Sequence, residues 1–148
     1  MSRRHRWILT AAVISALSLT GWSNANASEE GAVEGHQGPP AVVEPTEDSG
    51  VSRITLTERA AERLGIKVAK VGSAEGLLTA PFGALLYDAD GGEWVYTSPA
   101  PRVFRRSAVD VERVTDGTLY LKSGPPVGTD VVVVGAPELF GAEFEIGH

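Results

Sequence analysis

The chain reads as mainly β, a small barrel-like domain of about six or more short strands with one short helix. Three observations carry that reading. From Ala84 onward, short apolar or alternating runs are separated by turn signals, among them Asp90-Gly91-Gly92 and Asp116-Gly117. Val131 to Val134 is wholly apolar, which suits a central strand buried on both faces. Only the stretch around Glu58 to Leu64 combines helical spacing with a capping residue before it and a glycine after it.

Taken in order, the ordered part is expected to begin at Val51. Arg53 to Leu56 (RITL) is a short strand. Thr57 can cap a helix over ERAAERL, with Ala61 and Leu64 on one face and Glu58, Glu62 and Arg63 in water. Gly65 then ends it in the left-handed conformation. Ile66 to Val71 returns to strand, and Gly72 to Gly76 turns. Leu77 to Leu86 is strand material interrupted at Pro81, which marks an edge or a kink because proline has no N–H to donate. Asp88 to Gly92 joins it to Glu93–Thr97 as a hairpin. After a loop over Ser98 to Pro101, Val103 to Val114 is a long strand broken near Ser107. Asp116-Gly117 turns tightly into Leu119–Leu121. A loop from Ser123 to Thr129, with two prolines and two glycines, precedes the valine strand. Strands this short and closely spaced fit a small barrel or sandwich with a helix packed across an opening.

The N-terminus reads differently. Arg3, Arg4 and Arg6 precede a mostly apolar run from Trp7 to Thr20, too short against the roughly 20 residues that span a bilayer comfortably. Ala25-Asn26-Ala27 then offers a small-residue cleavage site. Residues 1–27 are therefore expected to be a signal peptide, the alternative being a retained single-span anchor, and the product to be exported to the periplasm or cell envelope. Leu19-Thr20-Gly21 looks like a lipobox with Trp22 where its cysteine would stand. The 148-residue chain has no cysteine, so as written it carries no lipid.

Without cysteine there is also no disulfide, thiolate metal site or thiol nucleophile. Beyond residue 27 the chain holds ten basic residues against nineteen acids, a net charge of −9. Six of the acids (Glu29, Glu30, Glu34, Glu44, Glu47 and Asp48) lie within residues 28–50, which contain no Lys or Arg. That segment, rich in Glu, Gly and Pro and without aromatics, is expected to be an acidic disordered tether. The acidic balance argues against nucleic acid as a partner, since a basic face is what the phosphate backbone requires.

Few residues offer chemistry. The histidines beyond residue 27 are His36, in the acidic segment, and His148. There is no G-x-S-x-G, H-E-x-x-H or phosphate-binding glycine loop, so the expectation is a non-enzyme without a cofactor. His36 is a weak metal-ligand candidate. Asp88, Asp90, Gly91 and Glu93 echo the start of a calcium loop, but the third acid and the closing glutamate are absent, and a hairpin turn accounts for the same residues. Trp94 and Tyr96 share one strand face and fit core packing or, alternatively, a ligand-facing stack. Arg102, Arg105 and Arg106 are the concentrated positive charge. They form either a solvated face or a docking patch for an acidic partner or anionic headgroups, with Phe104 and Arg106 on one side of the strand and Arg105 on the other.

Two blocks carry a resemblance: ITLTERAAERLGIKVAKV over residues 54–71, and GALLYDADGGEWVYTSP through VVVVGAPELFGAEF over residues 83–144. They resemble the two ends of the periplasmic adaptor (membrane fusion) proteins of RND-type and heavy-metal efflux systems. The second block is similar to their membrane-proximal domain, including the G-x-x-x-G-T/D, valine strand and glycine over residues 123–135. Those adaptors carry a lipoyl-like domain and a helical hairpin between these blocks, whereas here only residues 72–80 join them. The resemblance implies that residues 51–148 are an adaptor-like membrane-proximal β domain. It implies a non-enzymatic accessory of an efflux or export system, touching a membrane transporter or its extracytoplasmic partners, with room for membrane-surface association and an oligomer. Arg102, Arg105 and Arg106 are the contact candidates. The alternative is a free-standing extracytoplasmic carrier or sensor of a small ligand or metal ion that uses the acidic arm and His36.

Overall fold

The structure, a computed structural model, describes residues 38–48 and 50–146. The signal-peptide reading, Trp22, His36 and His148 lie outside the described residues. The fold is mainly β, with eleven strands in two antiparallel sheets, two helices and one 3-10 turn among the described residues.

The larger sheet contains β1 (Ala41–Pro45), β2 (Ser52–Leu56), β3 (Lys67–Lys70), β6 (Leu86–Tyr87), β7 (Glu93–Ala100), β8 (Val103–Ala108) and β11 (Asp130–Val134). Its spatial order is β1-β2-β8-β7-β11-β3, with β6 paired to β7. The smaller sheet contains β4 (Gly72–Ala74), β5 (Leu77–Pro81), β9 (Asp110–Thr115) and β10 (Thr118–Ser123), ordered β4-β5-β10-β9. Helix α1 (Glu58–Leu64) follows β2, a 3-10 turn (Phe82–Ala84) follows β5, and α2 (Ala136–Ile146) follows β11.

Period-two alternation divides the core in two. On one face of the larger sheet, Ile54, Leu56, Tyr96, Phe104 and Val132 pack with Ala60 of α1 and Ala136 and Leu139 of α2. Val95 and Val131 instead join a second cluster with Val71 and with Ala80, Leu119 and Leu121 of the smaller sheet. Val131 and Val132 are both wholly buried, one in each cluster, as an apolar strand internal to a sheet requires. The long run after Val103 breaks at Val109 rather than near Ser107. There the N–H of Val109 donates to the Glu93 carbonyl at 3.0 Å, and the chain leaves the larger sheet as β8 to enter the smaller as β9.

Helix α1 follows its capping signals. Thr57 Oγ1 accepts from the Ala60 N–H at 3.2 Å, and Gly65 takes φ 61. Its buried face centres on Ala60, with Ala61 and Leu64 half-buried beside it.

Two expectations are corrected. The disorder expected over residues 28–50 does not hold for Ala41–Pro45, which pair along their whole length with β2, from Ala41 opposite Leu56 to Pro45 opposite Ser52. Thr46 tightens the connection by donating through both N–H and Oγ1 to the Val51 carbonyl. This strand is held by β2 and by burial of Ala41, neither visible in its acidic local composition. The second correction is α2, which makes two helices where one was expected. Pro137 in its first turn and Glu138 near its positive end are helix-start signals.

Candidate functional site

The register of the larger sheet assembles a surface that no single segment encodes. Arg53 of β2 lies directly opposite Arg105 of β8, and Glu44 of β1 lies directly opposite Arg53 on its other side. Directly opposed side chains share a face, so Glu44, Arg53 and Arg105 form a row across three strands. Ile54, Phe104 and Arg106 point to the opposite, covered face. Asp48 forms an ion pair with Arg105. Beyond the row opens a groove of about 600 Å³, bordered by Asp48, Thr97, Arg105, Ser107, Pro125 and Pro126.

Arg102 stands at the end of this surface. With Pro101 it forms the two-residue turn between β7 and β8, at φ 63. A left-handed position favours glycine, and a residue with a Cβ costs about 1 kcal/mol there. Like charges facing each other on neighbouring strands, as at Arg53 and Arg105, are unfavourable too.

Arg106, expected as the third surface arginine, is not on this surface. It is 5 % exposed and tied into a buried cluster. Its Nε donates to Glu143 Oε2 at 2.8 Å, and its Nη2 donates to the Gly50 carbonyl. The same carboxylate oxygen accepts from the Tyr96 hydroxyl, while Glu143 Oε1 accepts from the Ser52 N–H at 3.0 Å. Aromatic rings surround the guanidinium, its carbon 4.5 Å from the Trp94 ring centre, 5.0 Å from Phe144 and 5.6 Å from Phe140. Burial, and then the bond to Glu143, push the Tyr96 hydroxyl far above its ordinary range, so it stays protonated and donating. Among the described residues no buried side-chain nitrogen or oxygen lacks a partner. This cluster ties α2 to the sheet. The alternation expected around Phe104 is therefore present, but the side of the strand that Arg106 shares with Phe104 is the interior.

The calcium-like residues form a turn. Asp88 Oδ1 accepts from the N–H groups of Asp90 and Gly92 at 3.0 and 2.7 Å, and Oδ2 accepts from Trp94 Nε1 at 2.7 Å. Gly91 supplies the positive φ, 82°, that the turn needs. Glu93 is engaged elsewhere, accepting from the Val111 N–H at 2.9 Å. Among the described residues no three His, Cys, Asp or Glu side chains are grouped to hold a metal.

The indole N–H, followed by the Gly92 amide, holds the Asp88 carboxyl below its ordinary range. A carboxylate with a lowered pKa in the fold stabilises above its unfolded value, and that contribution is lost as pH falls through the folded one. Asp88→Asn is therefore expected to lower the unfolding midpoint at pH 7, with the gap from the parent closing on acidification below the carboxylate range. Urea unfolding across pH checks this, and a gap independent of pH would mean that the carboxylate charge is not what holds the turn.

Arg53 was missed by sequence reasoning. It is 52 positions from Arg105, and only the β2–β8 pairing brings the two together. No protein-family model matches the chain, and no curated protein is detectably similar to it in sequence.

Proposed function

We propose that the protein is a non-enzymatic, adaptor-like accessory of an export system that docks on an acidic surface of a membrane transporter or of a transporter's extracytoplasmic partner. One observation carries the reading: Arg53 and Arg105 face each other at one end of the β2–β8 pairing and Arg102 stands in the turn beyond its other end, positions that two local rules disfavour. Backbone strain and like-charge opposition persist where something beyond folding stability retains them. The groove beside the row gives an extended partner segment somewhere to lie. The adaptor-like pattern of residues 54–71 and 83–144 supplies the transporter side of the proposal.

A photoreactive residue at position 105, crosslinked in intact cells, tests the partner. Capture of a membrane transporter or its extracytoplasmic partner, lost when Arg53 and Arg102 are both changed to Glu, is the expected result. Capture that survives both reversals removes the arginine face from the mechanism. A second prediction separates docking from folding. Arg102→Gly is expected to raise stability by about 1 kcal/mol, because glycine relieves the left-handed turn, while crosslinking at position 105 falls. Unfolding midpoints and crosslink yields read the two effects independently.

A further inference from the structure

The acids that surround the arginine row come from this chain's own N-terminal segment. Asp48 forms the ion pair with Arg105, and Glu44 stands opposite Arg53. Asp48 thus takes the position that a partner's carboxylate would need at Arg105, and Glu44 places a negative charge across from Arg53. Asp48 also borders the groove.

We infer that the acidic segment is an internal competitor: Asp48, supported by Glu44, occupies the arginine row until an acidic, extended partner segment displaces it. This rests on the docking reading above and adds its regulation. The energetics suit a placeholder. The Asp48 side chain is 64 % exposed and that of Arg105 41 % exposed, so their ion pair is worth little in water and is easily exchanged. Glu44 is held more firmly, by backbone pairing of β1 with β2, so it contributes a fixed negative field rather than a detachable contact. Exchange of one carboxylate for another needs no rearrangement of the sheet. Binding should then be weaker than the bare arginine row would allow, and it should tighten whenever Asp48 is removed.

The experiment uses the full chain and a fluorescein-labelled hexaglutamate peptide as probe, read by anisotropy at low salt. Asp48→Asn is expected to tighten binding by about two- to fivefold, the range set by an exposed ion pair. Glu47→Gln removes the same charge from the neighbouring exposed residue, which forms no ion pair among the described residues, and should change binding much less. Equal effects of the two changes would overturn the competitor and leave only general repulsion. Arg105→Glu separates this from the docking reading. If it abolishes probe binding while Asp48→Asn has no effect, docking stands and the competitor falls. If peptide binding is indifferent to Arg105→Glu, or the protein binds phosphatidylserine vesicles and never the peptide, both fall.

Discussion

Glu143→Ala is expected to destabilise the protein by about 3–5 kcal/mol, the usual result of removing one partner from a buried ion pair. Domains of this size are stable by only about 5–15 kcal/mol, so the loss is a large fraction of the whole. The reason lies in what is left behind. The Arg106 side chain is 4 % exposed and does not lose its proton, so without Glu143 it is a bare cation among three aromatic rings. The Tyr96 hydroxyl and the Ser52 N–H lose their acceptor at the same moment. Contacts between the guanidinium and Trp94, Phe140 and Phe144 soften the loss but do not neutralise the charge. Replacing both partners by apolar residues, Arg106→Met with Glu143→Leu, should cost less than Glu143→Ala, since no unpaired charge remains and the residual loss is that of the Tyr96 hydroxyl and Ser52 N–H left without their acceptor. Urea unfolding with an unchanged slope measures both variants. A loss below about 1 kcal/mol for Glu143→Ala would mean that the carboxylate does not sit on Arg106.

The same cluster explains where the sequence could be read and where it could not. Elements whose signals are local were legible: the Thr57 cap and Gly65 end of α1, the Asp88 turn and the doubly buried valines of β11. Helix α2 was not, because its inward face carries Glu143 beside Ala136 and Leu139, and a charge in an apolar stripe breaks the periodicity that marks a helix. The charge is tolerated only because Arg106 and Tyr96, 37 and 47 positions away, meet it. Strand β1 was hidden for a similar reason, its hydrogen bonds being supplied by β2 and the acids, glycines and prolines of residues 28–50 around it giving the composition of an unfolded segment. The candidate site divides along the same line. Alternation alone puts Arg105 and Arg106 on opposite sides of their strand, whereas which side is outer, the burial of Arg106 and the partnership of Arg53 depend on contacts made across the sheet.

Ile54→Ala and Leu119→Ala are each expected to lower stability by about 2–5 kcal/mol, the cost of a cavity at a fully buried large residue. The two lie in different clusters, Ile54 under the helices and Leu119 against the smaller sheet. A protein with two independent cores would respond to each change locally and would unfold in two steps. Here β7 and β11 are shared, with Val95 and Val131 in one cluster and Tyr96 and Val132 in the other. Neither cluster can lose its strands without exposing the apolar side chains of the other. Both variants should therefore keep a single transition, with far-UV circular dichroism and intrinsic fluorescence coinciding and the midpoint moved downward in each. A split transition in Leu119→Ala, with the larger sheet surviving at urea concentrations that melt the smaller, would show that the shared strands do not couple the two cores. It would also separate the arginine row from the stability of the smaller sheet, because Arg53, Arg102 and Arg105 all belong to β2, β8 and the turn that leads into β8.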